Sequence, residues 1–218
     1  FRRFDGKYRW VVDTAKPRFT PNGTFAGYIS AAIDITERKE AEIELSTAKC
    51  SLERQMQRAL VLREITHQIR SCLEPEQVYQ TAANQIARVL HTDRCLIHTY
   101  SEFTMPRIPI VAQYQSYGLE LPSNFEIPIL GNSHAELMLS QDLAIATDDV
   151  YIEPLLQEVL PLCKQLKLRS MMAIRTSYQG KTNGAIGVHQ CHYVRHWKAE
   201  EIELLEAMAA QVGIAIAQ

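Results

Sequence analysis

The chain has 218 residues, 46% of them hydrophobic, so it can bury a sizeable core and wholesale disorder is excluded. A net charge of −2 with dispersed basic residues argues against a nucleic-acid partner, and no apolar stretch reaches the roughly 20 residues of a membrane-spanning helix. Five cysteines without a CxxC pair indicate a reducing compartment, so we expect a cytoplasmic protein with no membrane insertion in this segment.

The sequence of residues 1–35 predicts a β-hairpin. KYRWVVDTAKPRF is rich in residues that suit a pleated surface, TPNGTF supplies turn chemistry through Asn22 and Gly23, and FAGYISAAIDI forms the second strand. Two strands bury too little surface to be stable alone, so we expect further partner strands. Because the sequence opens abruptly with FRRFDGKYRW and no initiator Met, we expect a fragment of a longer protein.

The hairpin resembles the last two strands of a PAS sensor domain from bacterial signalling proteins. The matching residues are Arg2-Arg3, Asp5-Gly6, Tyr8-Arg9-Trp10, Gly23, Phe25, Gly27-Tyr28-Ile29 and Asp34-Ile35-Thr36-Glu37-Arg38-Lys39. The resemblance implies that residues 1–36 are the C-terminal fragment of a PAS domain, whose ligand cavity lies mostly in the part that this sequence lacks.

A long helix is predicted over residues 37–73. Thr36 is a suitable N-cap, and no Pro or Gly occurs from Glu37 to Leu73. Apolar residues recur in steps of three, four and seven along one stripe, and the stripe includes Leu45, Leu52, Met56, Ala59, Ile65 and Ile69. At 1.5 Å per residue the helix is roughly 50 Å long, too long to bury its stripe against one hairpin. We therefore predict a signalling helix that pairs in a parallel coiled-coil dimer, rather than a solvated spacer.

Residues 74–218 mix helices and strands and predict an α+β domain. Helices are expected at PEQVYQTAANQIARVLHT, HAELMLS, EPLLQEVLPLCKQL (interrupted at Pro161) and KAEEIELLEAMAAQVGIAIAQ. Strands are expected at DRCLIHTYSE, IPIVAQYQS, a short edge strand FEIPI, and a hairpin SMMAIRTSYQGKTNGAIGVHQ that turns at Gly180–Gly184. This order predicts an antiparallel sheet with the terminal helices on one side.

This domain resembles a GAF domain of the subtype that cyanobacterial sensor histidine kinases place after PAS domains. The matching motifs are TDDVY (147–151), LKLRSMMAI (166–174), HQC (189–191) and the closing QVGIAIAQ. The single residues Gly184, Gly187, Arg195 and Trp197 match as well. The resemblance implies the GAF fold for residues 74–218 and relates it to the phytochromes and cyanobacteriochromes, photoreceptors that carry a bilin.

The residue that would attach a bilin is absent at its usual position. In the photoreceptors the attachment Cys, usually followed by His, lies between the Asp of a DIY-like motif and a later Arg. In this sequence Asp149 and Arg169 occupy the positions of that Asp and that Arg. The Cys position falls on Glu158 and the His position on Val159, whereas Cys163 lies further along the chain. A carboxylate cannot form the thioether, so we expect no covalent bilin and no other cofactor.

The same resemblance places His189 at a ligand pocket, with Tyr151, Met171, Asp149 and Cys163 as the other candidates to line it. Strand alternation puts His189 and Cys191 on one face. The alternative to ligand contact is a structural role, in which the ring of His189 forms a hydrogen bond with a buried polar partner. Haem-binding GAF domains make His98, His134 and His189 candidate axial ligands, although no spacing selects among them. The spacing His192-x₃-His196 fits zinc, but no second pair completes a tetrahedral site, so no metal is expected.

No catalytic motif occurs in the sequence, so we expect this fragment not to be an enzyme. We predict a sensory and signal-transmitting fragment of a two-component sensor histidine kinase. It would form a homodimer through the linker and terminal helices and relay a signal to a kinase domain in cis, which would act on a response regulator in a phosphorelay. The alternatives are a diguanylate cyclase output, a GAF photoreceptor or redox sensor that binds bilin or haem, and a dimerisation module with no ligand.

Overall fold

The computed structural model describes residues 1–70, 75–101, 105–121 and 125–217. They form two compact units, Phe1–Gln57 and Arg58–Gln218. In chain order the elements are β1 (Val11–Phe19), β2 (Phe25–Asp34), α1 (Thr36–Arg70), α2 (Pro75–Leu90), β3 (Arg94–Thr99), β4 (Ile110–Gln115), α3 (Ser133–Ser140), β5 (Ile145–Thr147), a 3₁₀ turn (Pro154–Leu156), α4 (Leu160–Gln165), β6 (Ser170–Tyr178), β7 (Lys181–Gln190) and α5 (Ala199–Ala217).

The first unit contains the predicted hairpin. Strands β1 and β2 pair antiparallel with Val11 opposite Asp34, and the turn between them places Gly23 at a φ of +80°. The aromatic side chains of Trp10, Phe19 and other residues of the unit are mostly exposed, as expected for two strands with no second layer. Helix α1 follows the hairpin after one residue and runs unbroken for 35 residues. Residues 71–73 of the predicted helix lie outside the described part of the chain.

The prediction that Thr36 caps α1 through its hydroxyl is wrong. The Thr36 Oγ accepts a hydrogen bond of 2.9 Å from the backbone N–H of Trp10, so this hydroxyl ties β1 to the start of the helix. The carboxylate of Asp34 instead accepts the backbone N–H of Thr36 at 2.9 Å. Hydrogen bonding from the Thr36 side chain, and then this backbone bond, lower the pKa of Asp34. A carboxylate two residues upstream is the stronger acceptor for a free N–H at a helix start.

The second unit is built on a five-stranded antiparallel sheet in the order β4-β3-β7-β6-β5. The terminal helices α2 and α5 cover one face, where Ile186 and Val188 of β7 belong to the larger buried cluster. The opposite face carries α3, the 3₁₀ turn and α4, and there Ala185 belongs to a second, smaller cluster. This arrangement confirms the predicted α+β fold with the terminal helices on one side of the sheet.

Two strand predictions are wrong in detail. Residues 125–129, the predicted FEIPI edge strand, form no strand, since Pro128 has no backbone N–H for a ladder. The edge strands of the sheet are β4 and β5, and β5 is only three residues long. The β6–β7 hairpin turns at Gln179-Gly180, where both residues have positive φ (+52° and +78°), so Lys181 to Gly184 belong to β7. A two-residue turn of this kind matches the twist of the flanking strands.

Pro161 does not interrupt a helix. It stands in the first turn of α4, where a missing N–H costs no hydrogen bond, and the break in the helical segment comes before it, at residues 157–159.

Candidate functional site

A pocket of about 70 Å³ lies between the central sheet and the layer formed by α3 and α4, and we call it the cavity. Its walls are mainly apolar, and its polar lining consists chiefly of three histidine rings, one each from β3, α3 and β7. The lining residues are His98, Ile108, Ile127, Asn132, His134, Ala135, Met138, Leu156, Val159, Leu162, Cys163, Leu166, Leu168, Met171, Ala173, Ala185, Ile186, Gly187 and His189.

Three of the five predicted pocket residues, His189, Met171 and Cys163, line this cavity. Met171 lies directly opposite His189 in the β6–β7 pairing, which explains why the two side chains share one face of the sheet. The thiol of Cys163 has a pKa raised by burial, so it stays protonated and is a poor nucleophile.

Asp149 and Tyr151 do not line the cavity, contrary to prediction. Asp149 forms an ion pair of 3.4 Å with Arg169 and accepts the backbone N–H of Tyr151 at 3.0 Å. The guanidinium of Arg169 also lies 4.7 Å from the centre of the Tyr151 ring. The three side chains therefore contact one another, and Tyr151 packs against the smaller buried cluster without lining the pocket.

Glu158 stands outside the cavity as well. Its side chain is exposed, and the carboxylate accepts a hydrogen bond of 3.2 Å from the hydroxyl of Ser133 at the start of α3. The neighbouring Val159 and Leu156 are buried and line the chamber in its place. The position that carries a bilin cysteine in photoreceptors by resemblance is thus a surface position in this chain.

Burial keeps the cavity histidines neutral. Desolvation lowers the pKa of His98 and of His134 to about 4, and it holds the pKa of His189 well below its usual value. The Nδ1 of His98 lies 2.8 Å from the carbonyl oxygen of Ile108, so this nitrogen carries the proton and donates. His98 and His134 were predicted only as haem candidates; strand alternation in RCLIHT was the signal that could have placed His98 beside His189.

The residues that follow β7, among them His192 and His196, have a structural role. Cys191 follows the last residue of β7 and does not line the cavity, so the prediction that it shares the face of His189 has no counterpart in the site. Its backbone N–H donates to the carboxylate of Asp93 at 2.8 Å, and the Nδ1 of His192 lies 2.9 Å from the same carboxylate. The Nδ1 of His196 lies 2.7 Å from Asp148. Within the described residues, no group of three or more His, Cys, Asp or Glu side chains is arranged to hold a metal ion.

Arg195 and Trp197 anchor the start of α5. The guanidinium of Arg195 donates to the carbonyl oxygen of Leu90 at 2.8 Å and lies 4.4 Å from the Trp197 ring. The indole N–H of Trp197 donates to the carbonyl oxygen of Thr147 at 3.2 Å, so the helix start is fixed to β5.

The pocket is small for a tetrapyrrole. Pockets that enclose ligands of drug size measure about 300–1,000 Å³, whereas this cavity measures about 70 Å³. No cysteine stands at position 158, and the thiol of Cys163 stays protonated.

These features define a class of protein: an α+β module in which an antiparallel sheet and a layer of short helices enclose a small chamber. The family model described as GAF domain matches residues 74–216, and the chain belongs to the GAF domain family. No helix of the described residues is both long and apolar enough to span a membrane.

The curated relatives are larger signalling proteins. Protein sll0041 of Synechocystis sp. (strain PCC 6803), whose name places it with the methyl-accepting chemotaxis proteins, is 24% identical over 182 residues, which cover 84% of this chain and 18% of that protein. The circadian input-output histidine kinase CikA of Thermosynechococcus vestitus is 29% identical over 182 residues, which cover 76% of this chain and 24% of the kinase. The matched part therefore spans only 18% to 24% of the length of these relatives.

A solved structure with the same fold is the phycocyanobilin-bound GAF domain from a cyanobacterial phytochrome. It is 22% identical, with a TM-score of 0.61, and the match covers 74% of this chain and 94% of that domain. At this level of identity the likeness establishes the fold.

Proposed function

We propose that this chain is the sensory and transmitting part of a larger signalling protein. In this proposal residues 1–36 are the end of a PAS domain, residues 37–73 are the signalling helix and residues 74–218 are the GAF domain. A change in the GAF domain alters the arrangement of the helices that enter and leave it. Those helices pass the change to an output domain in cis.

The observation that carries this proposal is the attachment of both helices to one core. Val61 and Leu62, near the end of α1, pack against the larger buried cluster of the second unit. Arg58 of α1 forms an ion pair with Glu203 of α5. The entering helix and the leaving helix are therefore fixed to each other and to the same face of the sheet, so a displacement of the sheet acts on both.

The proposed dimer uses the apolar stripe of α1. Leu45, Leu52 and Met56 are 72%, 66% and 64% exposed, and Ala59 is exposed as well. Steps of seven and four residues bring these side chains onto one side of the helix, which fits a parallel coiled coil with a second copy of the chain. The side chains of Ile65 and Ile69 lie outside the described residues, and their place in the stripe stays a prediction.

The proposed output domain is a histidine kinase, acting through a response regulator. It is supported by the similarity to CikA, which is named as a histidine kinase and is matched over three quarters of this chain. A cytoplasmic location is supported by the cysteines Cys50, Cys95, Cys163 and Cys191, which are all free thiols.

We further propose that the GAF domain attaches no bilin, because of the small cavity and the surface position of Glu158. Chain co-expressed with bilin-synthesis enzymes and then denatured in acidic urea should show no visible absorbance. A Glu158→Cys variant should also stay colourless, since position 158 lies outside the cavity. Pigment that survives denaturation of the unaltered chain would overturn this part of the proposal.

Disulfide crosslinking tests the dimer. In a background with Cys50→Ala and Cys72→Ala, a Leu52→Cys variant should crosslink rapidly between chains under mild oxidation. The matched control is native Cys50 in a Cys72→Ala background, because Cys50 lies about 140–160° around the helix from Leu45 and Leu52 and points away from the stripe. Crosslinking of Cys50 as fast as Leu52→Cys, or no crosslinking at either position, would contradict the parallel dimer.

A further inference from the structure

The connection that leads from α3 through β5 contacts elements on both faces of the sheet. It begins at Gln141, directly after α3, and ends at Asp148, directly after β5, and we call residues 141–148 the edge segment. Helix α3 packs on the face that carries the cavity, whereas α5 packs on the opposite face. Because β5 is an edge strand, the edge segment can form contacts with both layers.

On one side the edge segment is hydrogen-bonded to α5 and to the residues that lead into it. The backbone N–H of Ala144 donates to the Oε1 of Glu206 at 3.0 Å. The carbonyl oxygen of Thr147 accepts the indole N–H of Trp197 at 3.2 Å, and the carboxylate of Asp148 accepts the backbone N–H of Trp197 at 3.2 Å. These bonds extend from the start of α5 over about two helical turns, so the edge segment holds the first half of the leaving helix.

On the other side the edge segment and the last turn of α3 are bound to β6. The Nε of Arg175 donates to the carboxylate of Asp142 at 2.8 Å, and the same guanidinium donates to the carbonyl oxygen of Leu139 at 3.0 Å. The hydroxyl of Ser177 donates to the carboxylate of Asp142 at 2.8 Å. Hydrogen bonds between charged groups are the stronger ones, and the Arg175 side chain is only 15% exposed. The end of α3 and the start of the edge segment are therefore held together.

The connection has little slack. Only residues 141–144 separate α3 from β5, and two of these four residues, Asp142 and Ala144, are hydrogen-bonded as described. Strand β5 pairs with β6 at just three positions, so it has few ladder bonds to resist a displacement. A movement of α3 is therefore passed on to the edge segment and is not absorbed by a loop.

The opposite edge of the sheet is built differently. There the side-chain amide of Gln80 in α2 donates to the carbonyl oxygen of Gln113 in β4 at 2.8 Å. This bond joins α2 to the edge of the face-covering layer that α2 and α5 share, and it does not involve α3. The two edges thus offer one bond that links the layers and one comparable bond that does not.

We propose that the edge segment makes the position of α5 depend on the position of α3, with Glu206 as the positioning residue that fixes the segment to α5. In this arrangement α3 and the first half of α5 move together although they lie on opposite faces of the sheet. The inference rests on the proposed transmitting function, for which it names the element of the GAF domain that acts on the leaving helix.

The test follows backbone hydrogen exchange in the whole chain while α3 is loosened by Asn132→Ala, which removes its N-cap. We expect exchange in α3 to become about fivefold faster. Exchange around Glu206 should also become at least twofold faster than in α2, which serves as the internal reference. Equal acceleration in α2 and α5, or no acceleration in α5, would overturn the proposal, because α5 would then follow α3 no more than another helix does.

Three further backgrounds locate the coupling. In Glu206→Leu, which removes the acceptor for Ala144, Asn132→Ala should no longer accelerate exchange in α5. Glu206→Gln retains an oxygen that accepts this N–H, so the response should return. Gln80→Ala is the matched control, because it breaks the bond at the opposite edge and should leave the response intact.

A response that survives in Glu206→Leu, or one that disappears in Gln80→Ala, would contradict the assignment. Should Glu206→Leu show no cooperative unfolding transition, Glu206→Ala carries the same comparison. Chain that crosslinks along α1 as proposed but shows no coupled exchange would refute only the edge segment. Chain that shows coupled exchange but fails to crosslink would refute only the signalling dimer.

Discussion

The chain should lose stability on mild acidification, because of the buried histidines of the GAF domain. His98 and His134 have a pKa of about 4 in the folded chain, against 6.5 when exposed. Between these two values the unfolded chain binds protons at both rings and the folded chain does not. The free energy of unfolding therefore falls as the pH drops through 6.5, and the loss is complete below about pH 4.

The size of the effect follows from the two pKa values. At pH 5 each ring costs about 2 kcal/mol relative to pH 7, so His98 and His134 together remove about 4 kcal/mol. His189 shifts in the same direction and adds to the loss. Because domains are typically stable by about 5–15 kcal/mol, the GAF domain should be close to unfolding at pH 5. Carboxylates contribute little in this window, since they titrate mainly below it.

Urea unfolding at pH 7 and pH 5 measures this loss, followed by the fluorescence of buried Trp197 in a Trp10→Phe background. His134→Leu should reduce the pH-dependent loss by about 2 kcal/mol, because the titrating ring is gone. His91→Asn is the matched control, because it replaces an exposed histidine outside the pocket. Stability that differs by less than about 1 kcal/mol between the two pH values would refute the burial of neutral histidines, as would a full loss in His134→Leu.

Three substitutions test how the cavity walls and α5 are held, each by the urea midpoint. Gly184→Ala should destabilise by about 1–3 kcal/mol, because its Cβ would lie 2.2 Å from the carbonyl oxygen of His98; an unchanged midpoint would show that β3 and β7 are not so close. Gly213→Ala places a Cβ 2.4 Å from the carbonyl oxygen of Ser177. The clash should destabilise the fold by more than the roughly 1 kcal/mol that alanine contributes through its helix propensity, so we expect a net loss of stability. Net stabilisation would contradict the packing of α5 on β6. Asn132→Ala removes the N-cap of α3 and should cost about 1–2 kcal/mol, whereas no loss would show that this cap is not made.

The regular elements were predictable because their patterns are long. Strands β6 and β7 are apolar segments of nine and ten residues on either side of a glycine-containing turn, and α5 carries its apolar stripe over five turns' length, so these patterns identify them. Strand β5 was missed because three residues are too few to show a period. Residues 125–129 were mistaken for a strand because an apolar segment around a proline fits an edge strand equally well.

The site was predictable where one strand determines it. His189 and Met171 are cross-strand neighbours, so the family motifs that contain them also predict that they lie together. His134 could not be placed in this way, because its position depends on how α3 packs over the sheet. Asp149 and Tyr151 were misplaced for the same kind of reason, since their contacts with Arg169 form across the turn and not along a strand.

The position of His189 connects the chamber to the leaving helix. His189 is the last residue but one of β7, and the connection that follows is fixed at both ends by carboxylates: Asp93 holds the backbone N–H of Cys191, and Asp148 holds that of Trp197. A ligand that moves the His189 ring therefore acts on a short segment with little freedom to absorb the displacement. Because α5 follows this segment, a displacement of the segment would reach the end of α1 through the ion pair of Glu203 with Arg58 and through the core on which Val61 and Leu62 pack.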